Sequence, residues 1–211
     1  MFITFEGIEG VGKTTQLKFV AEELKKAGII FLTTREPGGT EVGEEIRDVL
    51  LAHRYEPFVP ITELLLMFAA RAQHVETIIL PAIKKGLWVL CDRFTDATYA
   101  YQGGGRGMDL EKIKGLEALV LNNFAPDITF LFDAPAKVGL ERVKGRGGHP
   151  DRFELEKIDF FERVRRTYLE RAKAYPKRFR VINADESLEK VQSEVKSVLK
   201  SFKELGDRRG V

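Results

Sequence analysis

Short, densely apolar runs alternate along the chain with longer stretches whose apolar residues recur every three or four positions. Phe2–Glu6, Ile29–Thr33, Leu87–Cys91, Ile128–Phe132 and Phe179–Ile182 are rich in β-branched, aromatic and aliphatic residues, the composition of strands. Several are apolar almost without interruption, which suits parallel strands covered on both faces. Helical spacing relates Leu17, Val20, Ala21 and Leu24. It also relates Ile113, Leu116, Leu119 and Val120 behind an Asp109 cap, and Leu188, Val191, Val195, Val198, Leu199 and Phe202 near the end. Gly28 stands where a helix C-cap precedes the second strand. Pro81 interrupts a helical pattern begun near Thr62 and predicts a kink or a break. The alternation, with right-handed crossovers, gives a five-stranded parallel sheet between two helical layers. Arg35–Thr40 and Lys144–Asp151 read as loops, and Gly206–Val211 as a frayed end.

Directly after the first strand, Gly7-Ile8-Glu9-Gly10-Val11-Gly12-Lys13-Thr14 fits G-x-x-x-x-G-K-[ST] at every fixed position, and Thr15 opens the following helix. Glycines there let successive N–H groups turn toward an anion, and the helix N-terminus adds its positive dipole end. Lys13 would reach the β- and γ-phosphates, and the Thr14 hydroxyl would ligate Mg²⁺. With strand and helix both in place, the chain is expected to bind a nucleoside triphosphate in a three-layer α/β/α P-loop NTPase fold.

Composition narrows the rest. At 211 residues the chain suits one α/β domain over its whole length, 1–211. A formal net charge of +2 supplies no field for nucleic acid or an acidic membrane, so a function built on cations must use a local cluster. Cys91 is the single cysteine, which excludes an intrachain disulfide and reads as a buried strand thiol. It and three scattered histidines do not fit the usual zinc spacings. The N-terminal stretch lacks the pattern of a secretory signal, and no apolar run approaches a membrane span. A soluble, cytoplasmic protein is expected.

Open α/β sheets bind ligands beyond the carboxyl ends of their strands. There the chain carries the phosphate loop, Arg35-Glu36-Pro37-Gly38-Gly39-Thr40, Asp92-Arg93-Phe94 and Asp133. Asp92 and Asp133 are both placed for Mg²⁺. Asp92 is favoured because Arg93 follows it and could bind phosphate in the same place, while Asp133 reads as a helix N-cap. Arg35, Arg47, Arg71, Arg93, Arg142, Arg146 and Arg152 gather near the expected cleft. Phosphoryl transfer asks the protein chiefly for charge stabilisation and alignment.

Further segments make a resemblance specific: Thr34–Thr40, Phe68-Ala69-Ala70-Arg71, Asp92–Phe94, Ala100-Tyr101-Gln102-Gly103-Gly104-Gly105-Arg106-Gly107, Pro126–Thr129 and Asp151-Arg152-Phe153-Glu154. In order from the first strand to about residue 170, the chain resembles the thymidylate kinase family. The resemblance implies transfer of the ATP γ-phosphoryl group to dTMP with Mg²⁺, giving ADP and dTDP for dTTP synthesis, by a homodimer. It implies that Gly7, Glu9, Gly10, Val11, Gly12, Lys13, Thr14, Thr15 and Arg142 bind ATP, and that Thr14 and Asp92 hold the metal. Glu36, Pro37, Arg47, Phe68, Arg71, Arg93, Thr98, Tyr101 and Gln102 would bind dTMP: Arg93 at its phosphate, assisted by Arg47 and Arg35, Arg71 at the thymine edge, and Tyr101 against the sugar 2′-carbon. Where many relatives carry the base-stacking aromatic this chain has Met67, so Phe68 is expected to stack and Met67 to pack in the core. Some members place an arginine inside the phosphate loop. This chain has Gly10-Val11 there and resembles those with a basic lid, here about 142–152 with Arg142, Lys144, Arg146 and Arg152. Lys13, Glu9, Arg93 and Arg146 are the expected catalytic set, with Lys144 the second choice of lid cation.

Two other readings share the phosphate loop. A kinase for another monophosphate or for a deoxynucleoside would need different residues at Arg71 and Gln102, and a nucleoside acceptor would call for a base near its 5′-hydroxyl. A nucleotide-dependent switch would leave Arg35, Arg47 and Arg93 without a ligand, and the N-K-x-D segment of guanine-specific switches is absent from the sequence.

Overall fold

A computed structural model describes residues 1–53, 55–145 and 151–207, the side chains of 202–207 excepted. Strands β1 (Phe2–Glu6), β2 (Phe31–Arg35), β3 (Trp88–Asp92), β4 (Ile128–Asp133) and β5 (Phe179–Asn183) form one sheet in the order β2-β3-β1-β4-β5. Every pairing is parallel, and Phe5 of the central strand lies between Asp92 and Phe130. The helices are α1 (Lys13–Lys26), α2 (Glu41–Leu51), α3 (Pro60–His74), α4 (Leu80–Lys84), α5 (Thr95–Thr98), α6 (Leu110–Leu121), α7 (Ala136–Lys144), α8 (Ile158–Ala174) and α9 (Leu188–Asp207).

Strand alternation divides the core in two. Ile3, Phe5 and Leu90 pack with Leu17, Val20 and Leu24 of α1, Phe161 and Val164 of α8 and Val195 of α9. Their strand neighbours Phe2, Val89 and Cys91 turn the other way, onto Val75, Ile79, Ala82 and Leu121. Both faces are therefore covered, as the uninterrupted apolar strands require. This is the expected three-layer α/β/α fold. Cys91 is fully buried in β3, as its setting in an apolar run implied. Among the described residues no helix is long and apolar enough to cross a membrane.

Two boundaries differ from the sequence pattern. The second strand begins at Phe31, not Ile29, because the end of α1 consumes Ile29. Gly28 takes φ +70°, its N–H donates to the Lys25 carbonyl at 3.0 Å, and the Ile29 N–H donates to the Leu24 carbonyl at 3.0 Å. This pair of bonds closes the helix and removes Ile29 from the sheet. Pro81 neither breaks the chain of helices nor ends it. A π-helical turn at Val75–Ile79 joins α3 to α4, with the Leu80 N–H reaching the Val75 carbonyl, so the backbone widens just before the proline. Asp109 caps α6 as expected, its Oδ1 accepting from the Glu111 N–H at 3.0 Å.

A second π-helical turn, Tyr99–Gly105, continues α5 and crosses α8 closely. A Cβ on Gly104 would collide with Thr167, and one on Gly105 with the Phe160 ring. The run of glycines thus lets the segment carrying Tyr101 and Gln102 lie flat on α8.

Candidate active site

Gly7–Gly12 leads from the end of β1 to the start of α1 at the carboxyl edge of the sheet. Gly10 and Gly12 adopt φ of 75° and 89°. No side chain caps the first turn of α1, which leaves its N–H groups for an anion. A Cβ at Gly10 would run into the Gly139 carbonyl, and one at Gly139 into the Glu9 carbonyl, so loop and α7 touch through two glycines. Lys13 Nζ donates to the Ile8 carbonyl at 2.7 Å. Burial pushes its ammonium down to about 8, with repulsion from Arg93 adding to the effect and Asp92, Glu9 and Glu6 opposing it. Gly10, Gly12, Thr14 and Thr15 line the same cleft, whereas Val11 is buried in the core.

Thr14 Oγ1 donates to Asp92 Oδ2 at 3.2 Å, which brings the expected metal pair together at the cleft. Among the described residues no three His, Cys, Asp or Glu side chains form a metal cluster. Two hard oxygens on the cleft wall nevertheless suit Mg²⁺, which takes few protein ligands and completes its shell from phosphates and water. Asp133, the alternative, is held by Arg165 through two bonds of 2.7 and 2.9 Å. It is not the helix cap that its position suggested: Pro135 occupies that place before α7.

Arg93 is the centre of the arrangement. Its backbone has φ +66°, a left-handed conformation that a bulky residue adopts only where its surroundings dictate it. Its N–H donates to the Phe5 carbonyl, and the next N–H, of Phe94, donates to Glu6 Oε1 at 2.7 Å. The guanidinium donates to the Gly7 carbonyl (2.9 Å), Tyr168 Oη (3.2 Å) and Glu9 Oε1 (2.9 Å) and lies over the Tyr101 ring. Burial opposes its charge, but Tyr101, Glu9, Tyr168 and Asp92 outweigh burial and hold the cation above its ordinary range. Glu6, fully buried, also accepts from Tyr168 Oη at 2.7 Å. Burial and the nearby Asp96 charge raise its carboxyl to about 8 against the pull of Arg93.

Next to this cleft lies a cavity lined by Glu36, Pro37, Arg47, Met67, Arg71, Arg93, Thr98, Tyr101 and Gln102 among others. Glu9 and Arg93 line both spaces, so the two open onto one another. Tyr101 Oη donates to Glu9, and the Tyr101 ring meets Phe153, Phe160 and Tyr168 edge-on. Arg71 Nε donates to Glu36 Oε2 at 2.7 Å and Nη2 to the Phe94 carbonyl at 3.2 Å, while Nη1 is buried without a partner among the described residues. Glu36 is steadied in turn by His74 Nδ1 at 3.0 Å, whose Nε2 meets Thr34 Oγ1 at 2.6 Å. Arg47 donates to the Pro37 carbonyl, and burial and Arg35 lower its hold on its proton. Arg35 pairs with Glu44 at the cleft edge.

Phe68 and Met67 sit elsewhere than expected. Phe68 is buried with Leu64, Tyr99 and Ile113, beneath the Arg71 guanidinium, and Met67 faces the cavity in its place. Helical geometry explains the correction: Met67 is one turn of four residues from both Glu63 and Arg71, so it shares their face more closely than Phe68 does. Arg152 is committed to Glu63 and the Leu50 carbonyl. Arg142 donates to the Ala184 carbonyl at 2.8 Å and faces Asp185. Lys144 ends α7 on the surface. Arg146 lies outside the described residues. Sequence reasoning missed Glu6, Tyr168, Glu63 and His74. For the last two a signal existed, since Glu63 and His74 fall on the inward face of α3 at helical spacing with Arg71.

The family model described as thymidylate kinase matches residues 5–195. A thymidylate kinase of Ruthia magnifica is 51% identical over 198 residues, 94% of this chain and 96% of its own. One from Teredinibacter turnerae is 53% identical over 201 residues, covering 95% and 98%. The crystal structure of thymidylate kinase from Ehrlichia chaffeensis superposes with a TM-score of 0.75 at 37% identity, covering 94% of this chain and 98% of that one. A phosphate loop, a paired Thr14 and Asp92, and a second cavity rimmed by arginines thus coincide with similarity over nearly the whole length, and the chain belongs to the thymidylate kinase family.

Proposed function

We propose that the two joined spaces are donor and acceptor sites, with ATP on the phosphate loop and dTMP in the cavity of Arg71 and Gln102. As a thymidylate kinase the chain transfers a phosphoryl group from ATP to dTMP, giving ADP and dTDP. The observation that carries the placement is Arg71, which lines a cavity that opens onto the phosphate loop and whose Nη1 is a buried donor without a partner among the described residues. A buried donor left unmatched is costly, and a base carbonyl such as thymine O4 would meet it. Thr98 and Gln102 line the same cavity, and Met67 offers a soft apolar surface to the ring.

An oxygen of the acceptor phosphate attacks the γ-phosphorus, the bond to the β,γ-bridging oxygen breaks, and ADP leaves. The acceptor is already an anion, so no general base is needed. Alignment and charge neutralisation remain. Arg93, fixed from five directions, would hold the acceptor phosphate with Arg47, and Glu36 and Pro37 form the cavity wall beside them. Glu9 orients Arg93 and Tyr101 between the two sites. Lys13 would turn from the Ile8 carbonyl to the β- and γ-phosphates. Mg²⁺, held by Thr14 and through Asp92, would neutralise charge on the phosphates. Arg142, beside the turn at Ala184, belongs to the far end of the donor. Arg146 is assigned to the transferring phosphoryl group as a lid cation.

The described elements share one sheet, which supports one catalytic unit over 1–211. A homodimer is supported by exposed apolar residues on α2 and α3, including Val42, Ile61 and Leu65. A cytoplasmic location fits a single buried thiol. ADP release measured with ATP, Mg²⁺ and dTMP, dUMP, dCMP, dGMP, AMP or thymidine in parallel tests the site. Preference for dTMP is expected. Turnover of thymidine or AMP in its place overturns the assignment of the cavity.

A further inference from the structure

Glu63 stands behind the cavity of Arg71 and Gln102, and no part of the family reading uses it. It lies in the first turn of α3 and is 2% exposed. Its Oε1 accepts from Gln102 Nε2 at 2.8 Å and faces Arg106 Nε at 3.5 Å, while Oε2 forms an ion pair with Arg152 Nη2 at 2.7 Å that lacks hydrogen-bond geometry. Both arginines are held from other sides, Arg106 by Glu156 and Arg152 by the Leu50 carbonyl. Among the described residues every partner of Glu63 is a donor or a cation, and a carboxylate can only accept.

The consequence falls on Gln102. The two ends of a glutamine amide have nearly the same shape, so a half-turn exchanges a donor for an acceptor. Against Glu63 only the NH₂ end fits, because the carbonyl would face a carboxylate in a buried place. The Oε1 end is therefore left for the cavity that Gln102 lines. An acceptor there matches the ring N3–H of thymine or uracil. It opposes cytosine, whose N3 is a bare lone pair.

We propose that Glu63 is a specificity-determining positioning residue, which locks the Gln102 amide with its carbonyl toward the base so that dCMP is rejected. The proposal rests on the reading that the cavity of Arg71 and Gln102 receives the base. Rejection follows because the wrong ring would leave buried polar groups facing like partners. The device works without touching the ligand.

E63Q tests it, since a glutamine at 63 can donate or accept and so satisfies either orientation of Gln102. Dissociation constants for dTMP and dCMP are measured by calorimetry, with kcat for dTMP alongside. The preference for dTMP over dCMP is expected to fall about tenfold, the worth of one buried hydrogen bond, with kcat within about threefold of wild type. A merely structural role would lower the folded fraction and kcat and leave the preference unchanged. An unchanged preference in folded E63Q overturns the proposal. Q102A, run in parallel, separates the two ideas. If Q102A leaves the preference intact, Gln102 does not face the base and the site reading fails. If Q102A narrows it while E63Q does not, the role of Glu63 alone fails. Should E63Q not fold, E63Q/R152Q removes one buried cation that the substitution strands, and the same ratio is read from it.

Discussion

Tyr101 sets its hydroxyl 2.7 Å from both carboxylate oxygens of Glu9, which in turn holds the guanidinium of Arg93 at 2.9 Å. The ring and the hydroxyl of this one residue thus do separable things. Tyr101→Phe keeps the ring and frees Glu9, so kcat/KM for dTMP should fall about tenfold to a hundredfold, the range for a bond to a charged group, with selectivity against a ribose acceptor retained. Tyr101→Ala removes the bulk as well and should relax that selectivity. Steady-state kinetics with deoxy- and ribonucleotide acceptors check both. Equal loss of sugar selectivity in the two variants would show that the ring is not what the 2′-position meets.

Glu6 makes a prediction about pH and stability. Its carboxyl lies at about 8 in the folded chain, against an ordinary 4.5. Below 4.5 both states carry the proton. Between 4.5 and 8 the folded state keeps it and the unfolded state has lost it, so this group's contribution to stability falls as pH rises through that window. One proton corresponds to about 1.4 kcal/mol per pH unit. Glu6→Gln cannot ionise and should gain on wild type steadily from pH 5.5 to 8. Urea unfolding of both proteins at several pH values reads the difference, and a difference independent of pH would sink the idea.

What the sequence made legible, and what it hid, follows the range of the interactions involved. The phosphate loop is local: glycine positions, Lys13 and Thr14 lie within eight residues, and strand and helix on either side place them. Burial of both faces of the sheet follows from the apolar runs, whereas the order β2-β3-β1-β4-β5 does not, because an apolar run does not say which strand it pairs with. Glu6 read only as the last residue of a strand, because its partners Phe94 and Tyr168 lie 88 and 162 residues away. The start of β2 was misplaced for a different reason. Ile29 has the composition of a strand, but helix closure claims its N–H first. An aromatic ring for stacking points to Phe68, but helical angle puts Met67 on the cavity face with Arg71 and Phe68 in the core.

Asp96 supplies a test of the scaffold beneath the site. It is fully buried, and it accepts from Arg171 Nε and Arg178 Nη1 at 2.5 Å each, tying α5 to α8 and to the approach to β5. Burial alone would raise its carboxyl, but the two arginines outweigh burial and hold it below the ordinary value. Its contribution is therefore present above the unfolded value and is lost as pH falls through the lowered one. Asp96→Asn leaves two cations facing a neutral amide and should cost about 3–5 kcal/mol at neutral pH, the scale for breaking a buried pair. The deficit should shrink on acidification. Chemical denaturation at pH 7 and at pH values stepped down below 3.8, the ordinary value, measures it, and a loss under about 1 kcal/mol at pH 7 would mean that the arginines find other partners.

Lys13 links pH to donor binding. In the chain without nucleotide its ammonium sits at about 8, chiefly because burial strips its water and because Arg93 stands near. The triphosphate restores a counter-charge, so the bound state holds the proton to higher pH than the free state does. Above pH 8, ATP binding must then take up a proton, and affinity should fall as pH rises, by up to about tenfold per unit for one coupled proton. Calorimetry at pH 9 in buffers of different ionisation enthalpy reads the uptake directly. Lys13→Met should bind ATP more weakly at pH 7 and show no uptake at pH 9 from this source. Proton uptake that survives the substitution would assign the titration to another group, and the phosphate loop would lose its claim to be the pH-sensitive element of the site.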